Sequence, residues 1–176
     1  MIRCVMADDH VLVREILCKI MEQTSTIRII GDHGDAREAA EHAVDQKVDV
    51  LILDVNIPGA DPFEAARWAK SSHFPLKVMF LTGSTEEEHI LNAIEAGASA
   101  YMTKTCGFDE LLQAITRVHR GDPYLRPKPT KAVQTSGPVA IPRAGGPAPL
   151  RRSPQRTRSP RPQRSASPRD ALHVPK

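Results

Sequence analysis

The sequence predicts an α/β fold in which five short buried strands alternate with five helices around one parallel sheet, (βα)5, with a disordered tail from residue 126 onward. Three observations carry that expectation. Apolar runs recur at residues 2–7, 27–31, 49–53, 77–82 and 99–102, and the segments between them place aliphatic side chains three and four residues apart. Strands separated by single helices imply right-handed parallel crossovers, with helices on both faces of the sheet. Carboxylates close the first and third runs, at the end of the strands where open parallel sheets place their ligands.

Each element has its own signal. Ile2-Arg3-Cys4-Val5-Met6-Ala7 leads into Asp8 and Asp9, after which Leu12/Val13, Ile16/Leu17 and Ile20/Met21 mark a helix. The second run, residues 27–31, precedes Asp35, an N-cap for the helix of Ala39, Ala40, Ala43 and Val44. Asp49-Val50-Leu51-Ile52-Leu53-Asp54 is continuous enough for a strand buried on both faces, and Pro58-Gly59 ends it in a turn. Asp61 caps the helix of Phe63 and Ala66, and the fourth run, residues 77–82, ends in Thr82-Gly83. Glu86, Glu87 and Glu88 suit the first turn of the next helix, where acids complement the dipole, and also offer a partner surface; Ile90, Leu91 and Ile94 continue it and Gly97 stops it. The fifth run, residues 99–102, leads to Lys104, and Phe108, Leu111/Leu112, Ile115 and Val118 form a last helix stopped by Gly121.

Three acids meeting at one sheet edge, Asp8, Asp9 and Asp54, suggest a divalent cation site. Other chemistries fail on spacing. The seven histidines show no HExxH pattern or His/Cys cluster of a zinc site, and no glycine-rich phosphate loop is present.

Asp8-Asp9-His10, Asp54 with Pro58-Gly59, Thr82-Gly83 and Gly97-Ala98-Ser99-Ala100-Tyr101-Met102-Thr103-Lys104 together resemble, in register, a bacterial two-component response-regulator receiver domain over about residues 1–125. The ending Val118-His119-Arg120-Gly121-Asp122-Pro123-Tyr124-Leu125 is similar to receivers that precede a LuxR-type helix-turn-helix. The resemblance implies a flavodoxin-like doubly wound fold with a five-stranded parallel sheet in the order 2-1-3-4-5. It also implies Asp54 as phosphoacceptor from a sensor histidine kinase, and Mg2+ held by Asp9 directly, Asp8 through water, Asp54 and the Asn56 carbonyl. Lys104 and Thr82 would contact the phosphoryl oxygens, and Thr82 and Tyr101 would act as the switch, Thr82 moving toward the phosphate and Tyr101 turning inward. An aspartate accepts a phosphoryl group only when the negative charge on both partners is neutralised, which is the physical need for the cation and the lysine.

Two other classes compete. A haloacid-dehalogenase-like phosphatase also uses an aspartyl phosphate and Mg2+, but resembles its relatives in having a second Asp two residues after the nucleophile; here that residue is Asn56, and the nucleophile follows the third run rather than the first. A phosphorylation-independent binding module would not need every reactive position intact. The expectation is therefore a switch, with possible autodephosphorylation but no turnover chemistry.

Residues 1–126 carry 13 Lys and Arg against 20 Asp and Glu, whereas residues 127–176 carry 11 against a single acid, Asp170, and hold 11 of the 15 prolines without one Phe, Tyr or Trp. So little apolar surface does not offset an ordering entropy of about 1–2 kcal/mol per residue. Arg152-Ser153-Pro154, Arg158-Ser159-Pro160 and Ser167-Pro168-Arg169 read either as a basic arm or as translation of an altered reading frame. Neither presents a recognition helix, so the expectation is nonspecific attraction to nucleic acid and no sequence-specific DNA binding. Cys4, Cys18 and Cys106 have no paired spacing and read as reduced thiols. With no membrane-length apolar segment or signal core, the expected location is cytoplasmic. Pairing with a second receiver, as homodimer or heterodimer, completes the expected partners.

Overall fold

The computed structural model describes residues 1–72, 75–83 and 86–126; of the tail expected from residue 126, all but Arg126 lies outside the described residues. In chain order the elements are β1 (Ile2–Ala7), α1 (Val11–Glu22), β2 (Ile27–His33), α2 (Ala36–Asp45), β3 (Val50–Asp54), α3 (Pro62–Lys70), β4 (Lys77–Thr82), α4 (Glu87–Glu95), β5 (Ala100–Thr103), α5 (Phe108–His119) and β6 (Tyr124–Leu125). All pairings are parallel, in the order β2-β1-β3-β4-β5-β6.

The sixth strand corrects the expected five. Tyr124 N–H donates to the Ser99 carbonyl at 2.9 Å and Arg126 N–H to the Tyr101 carbonyl at 2.8 Å, so the segment after Gly121 covers backbone groups that β5 would otherwise leave open. A strand of two residues is too short to show an alternating pattern, which is why periodicity could not announce it.

The helix ends follow local chemistry. The Asp35 carboxylate accepts from the N–H groups of Arg37 and Glu38 at 2.8 and 3.0 Å, and that of Asp61 from Phe63 and Glu64 at 2.7 and 3.3 Å, with Pro62 in the first helical turn. Gly97 and Gly121 sit at φ +76° and +95°, left-handed conformations that let the chain leave α4 and α5 without a side-chain clash. Glu87 and Glu88 lie in the first turn of α4, as the dipole favours.

Alternation along the strands sorts two cores. Leu51 and Leu53 of β3 join Val5, Val78, Phe80 and the alanines of α2 and α3, while Val50 and Ile52 join Cys4, Met6, Met79, Met102 and the Leu111, Ile115 and Val118 side of α5. One face of α1 is left open: Met21 is its buried residue, whereas Val11, Leu12 and Ile16 are 55%, 68% and 46% exposed. Among the described residues no helix is long and apolar enough to cross a membrane.

Candidate functional site

Parallel strands deliver their carboxyl ends to one edge, and the chain places its polar residues there. Asp8 follows β1, Asp54 and Thr82 are the last residues of β3 and β4, and Lys104 follows β5. Asp8, Asp54 and Thr82 are 1%, 2% and 0% exposed. Two carboxylates this deep require a countercharge, since removing an unpaired ion from water is far more costly than removing a paired one. Lys104 supplies it: Nζ lies 2.7 Å from Asp8 Oδ2 and 2.7 Å from Asp54 Oδ2. Burial alone would lower the ammonium's affinity for its proton, but hydrogen bonds and charge from Asp54 and Asp8 outweigh it and push the pKa up.

The backbone holds this arrangement. Lys104 N–H donates to the Thr82 carbonyl at 2.7 Å, Val55 N–H to the Leu81 carbonyl at 2.9 Å, and Asp8 N–H to the His33 carbonyl at 3.1 Å. Asn56 N–H donates to Asp54 Oδ1 at 3.1 Å, turning the chain sharply after the strand. Arg14 reaches from α1 to the Asp8 carbonyl and to Asp32, 3.3 Å from its Nε.

The structure places Asp8, Asp9, Asp54, Thr82 and Lys104 at one edge of the sheet. One ligand atom from each of Asp8, Asp9, His10 and Asp54 lies within 4.8 Å of the others, a set rich in carboxylate oxygen that fits a hard divalent cation. Asn56 lies two residues past Asp54 and is exposed. His10 is a member that sequence reasoning quoted in the motif but gave no role: its Nδ1 is 2.7 Å from Asp9 Oδ1 and 3.1 Å from Asp8 Oδ1. Adjacency to the Asp-Asp pair was the available signal. Arg14 was likewise missed, since a lone Arg on a helix has no distinguishing pattern.

Tyr101 is fully buried in β5, at 0% exposure. Burial pushes its phenol above the ordinary value; the nearby Thr82 hydroxyl tempers the rise and Glu86 adds to it. The phenol oxygen makes no well-directed hydrogen bond among the described residues.

Residues 4–116 match the response regulator receiver domain family. The chain is 34% identical over 128 residues to response regulator GacA of Pseudomonas viridiflava, covering 73% of this chain and 60% of that protein, and 33% identical over 128 residues to transcriptional regulatory protein LiaR of Bacillus subtilis, covering 73% and 61%. It therefore spans about 60% of the length of the curated relatives it matches. Among solved structures it resembles a LuxR-family two-component response regulator from Aurantimonas sp. SI85-9A1 (TM-score 0.66, 30% identity, 71% of this chain and 89% of that one) and the signal receiver domain of the response regulator NarL from Mycobacterium tuberculosis (TM-score 0.65, 26% identity, 68% and 97%). The chain belongs to the response regulator receiver domain family, a family of signalling units.

Proposed function

We propose that this receiver, residues 1–125, works as a phosphoacceptor switch in which Asp54 takes a phosphoryl group from a sensor histidine kinase. The observation that carries the reading is the Lys104 ammonium bridging Asp8 and Asp54 at 2.7 Å each, a fixed positive charge beside the proposed nucleophile. Asp54 attacks at phosphorus with a carboxylate oxygen, and the donor's leaving group departs in line. Asp9, Asp8 and Asp54, with the Asn56 carbonyl, would hold Mg2+, which would neutralise the negative charge on the carboxylate and the phosphoryl group. Lys104 releases one carboxylate partner and takes a phosphoryl oxygen; the Thr82 hydroxyl donates to another.

Switching follows from differential interaction. Moving a population from 1:99 to 99:1 needs about 5.5 kcal/mol, which two charge-assisted hydrogen bonds to a dianion can approach. Thr82 and Tyr101 couple those bonds to the surface of α4, β5 and α5. Output runs through that surface by pairing with another receiver, or the domain serves as a phosphate sink. No residue corresponds to the acid two positions after the nucleophile that a haloacid-dehalogenase-like phosphatase needs, because Asn56 stands there, so turnover chemistry is not proposed.

Incubation with acetyl phosphate and Mg2+, followed by intact mass measurement, tests the assignment. Wild type gains one phosphoryl group and Asp54→Asn gains none. Labelling of Asp54→Asn at the wild-type rate refutes Asp54, and continuous release of inorganic phosphate over many turnovers refutes the switch.

A further inference from the structure

We propose that His10 is itself a ligand of the metal ion at this edge and shifts its preference from Mg2+ toward divalent ions that accept nitrogen. The inference rests on reading the acidic cluster as a metal site, and goes beyond it by assigning a donor of a different class.

The geometry is specific. Neighbouring donors on an octahedral ion with bonds of about 2.1 Å stand about 3.0 Å apart. His10 Nδ1 is 2.7 Å from Asp9 Oδ1 and 3.1 Å from Asp8 Oδ1, so the ring nitrogen stands from each of the two oxygens at the spacing of neighbouring ligands. The residue is also held there. Its N–H donates to Asp8 Oδ1 at 3.0 Å, and α1 begins at the next residue, which leaves the His10 backbone little room to turn away. The side chain is 64% exposed, so an ion exchanging from solvent meets the imidazole on entry.

Without the ring, the site offers only carboxylate and carbonyl oxygen, the donor set suited to Mg2+, which keeps several waters. Imidazole suits Fe2+, Ni2+ and Zn2+ better, and their affinities for a mixed nitrogen and oxygen site rise along the divalent series. With His10 bound, one water of the sphere is replaced by nitrogen and those ions gain relative to Mg2+. The competing account is that His10 only hydrogen-bonds to the acids and swings out when an ion arrives. The two accounts predict opposite behaviour on removing the ring: loss of a ligand weakens nitrogen-accepting ions selectively, whereas loss of an occupant strengthens all ions alike.

The test titrates Mg2+ and Ni2+ separately into wild type, His10→Ala, His10→Gln and Asp9→Ala by calorimetry, with folding checked by circular dichroism. Ni2+ that persists in Asp9→Ala is subtracted, because His33 and His42, with ring nitrogens 2.8 Å apart, offer another nitrogen pair. Expected is a loss of Ni2+ affinity of about tenfold in both His10 variants, the low end of what removing a supporting group from a metal site does, with Mg2+ affinity changed far less. In parallel, Mn2+-loaded wild type gives the pulsed EPR modulation of a directly bonded 14N, and His10→Ala does not. Equal changes for Mg2+ and Ni2+, or no 14N signal in wild type while Mn2+ is bound, overturns the role of His10 and leaves the metal site standing. Mg2+ affinity in Asp9→Ala equal to wild type, or no cation binding by wild type, defeats the metal site and this inference with it.

Discussion

On the two faces of the sheet the chain buries hydrocarbon, whereas at the sheet's carboxyl edge it buries charge. The α2 and α3 face is lined by Ala36, Ala39, Ala40, Ala43, Ala65, Ala66 and Ala69, small enough for close helix packing, and the other face is filled by Met21, Leu111, Ile115 and Val118. The buried polar or charged side chains among the described residues are Asp8, Asp54 and Thr82, all at that edge. Replacing a buried ion pair by well-packed apolar groups is often neutral or stabilising, so charge is not placed there for stability. The contrast separates what holds the fold from what it is held for.

The largest expected effect lies on the faces. Leu51 is fully buried in mid-strand, and Leu51→Ala should lower unfolding free energy by about 2–5 kcal/mol in urea denaturation. Acetyl phosphate labelling of the fraction that remains folded should match wild type. If labelling disappears from folded protein, face and edge are not separable and the contrast fails.

A smaller, conditional effect belongs to the edge. Lys104→Met leaves Asp8 and Asp54 buried without their countercharge, and should destabilise by up to about 3 kcal/mol, the low end for a broken buried pair because Lys104 retains some solvent access. Mg2+ should restore more stability to this variant than it adds to wild type, since the ion then replaces the missing charge. Asp54→Asn should be milder, because Lys104 keeps Asp8. Equal Mg2+ stabilisation of wild type and Lys104→Met would show that lysine and cation do not share one electrostatic role.

A third prediction uses pH on a face. Burial, with Asp49 adding to it, pushes the Cys4 thiol from its ordinary 9.0 up to about 12. A pKa raised in the folded state contributes stability in full below the unfolded value, and that contribution is lost as pH climbs from 9 through 12. Wild type should therefore lose stability between pH 9 and 11 more steeply than Cys4→Val, and identical slopes would show that the thiol is not the group responsible.

Most of the architecture is legible in the chain because each of its causes is local. The continuous run Val50–Asp54, ended by Pro58-Gly59, reads as a strand buried on both faces, Asp35 and Asp61 announce their helices through short side chains, and Gly97 and Gly121 mark conformations that other residues resist. The edge is legible for a different reason: Thr82 ends a run and Asp8, Asp9, Asp54 and Lys104 each come just after one, and parallel topology brings run ends together. Illegible were the features that depend on distances between elements. The two residues of β6 carry no period, Arg14 reaches Asp8 only across the gap between α1 and β1, and Leu12 and Ile16, apolar at helix spacing, stay exposed. An apolar face predicts burial only when another element arrives to cover it.

The smallest expected effect lies at β6, where the sheet ends sideways rather than at its carboxyl edge. The Tyr124 hydroxyl donates to Glu110 Oε1 at 2.7 Å, and the guanidinium carbons of Arg117 and Arg126 lie 5.1 and 5.7 Å from its ring centroid. These contacts tie the last strand to α5 with surface chemistry alone, using no buried charge and little core. Tyr124→Phe keeps the ring between the two cations and removes one hydrogen bond, so it should change global stability by about 0.5–1 kcal/mol. Amide exchange at Tyr124 and Arg126, whose N–H groups bond to the Ser99 and Tyr101 carbonyls, should quicken in Tyr124→Phe, while the amides of Leu51 and Ile52 in the central strand keep their protection. Quickened exchange in β3 as well would mean that β6 is part of the cooperative core rather than a clip on its side, and the sheet would then have one more structural edge than the contrast allows.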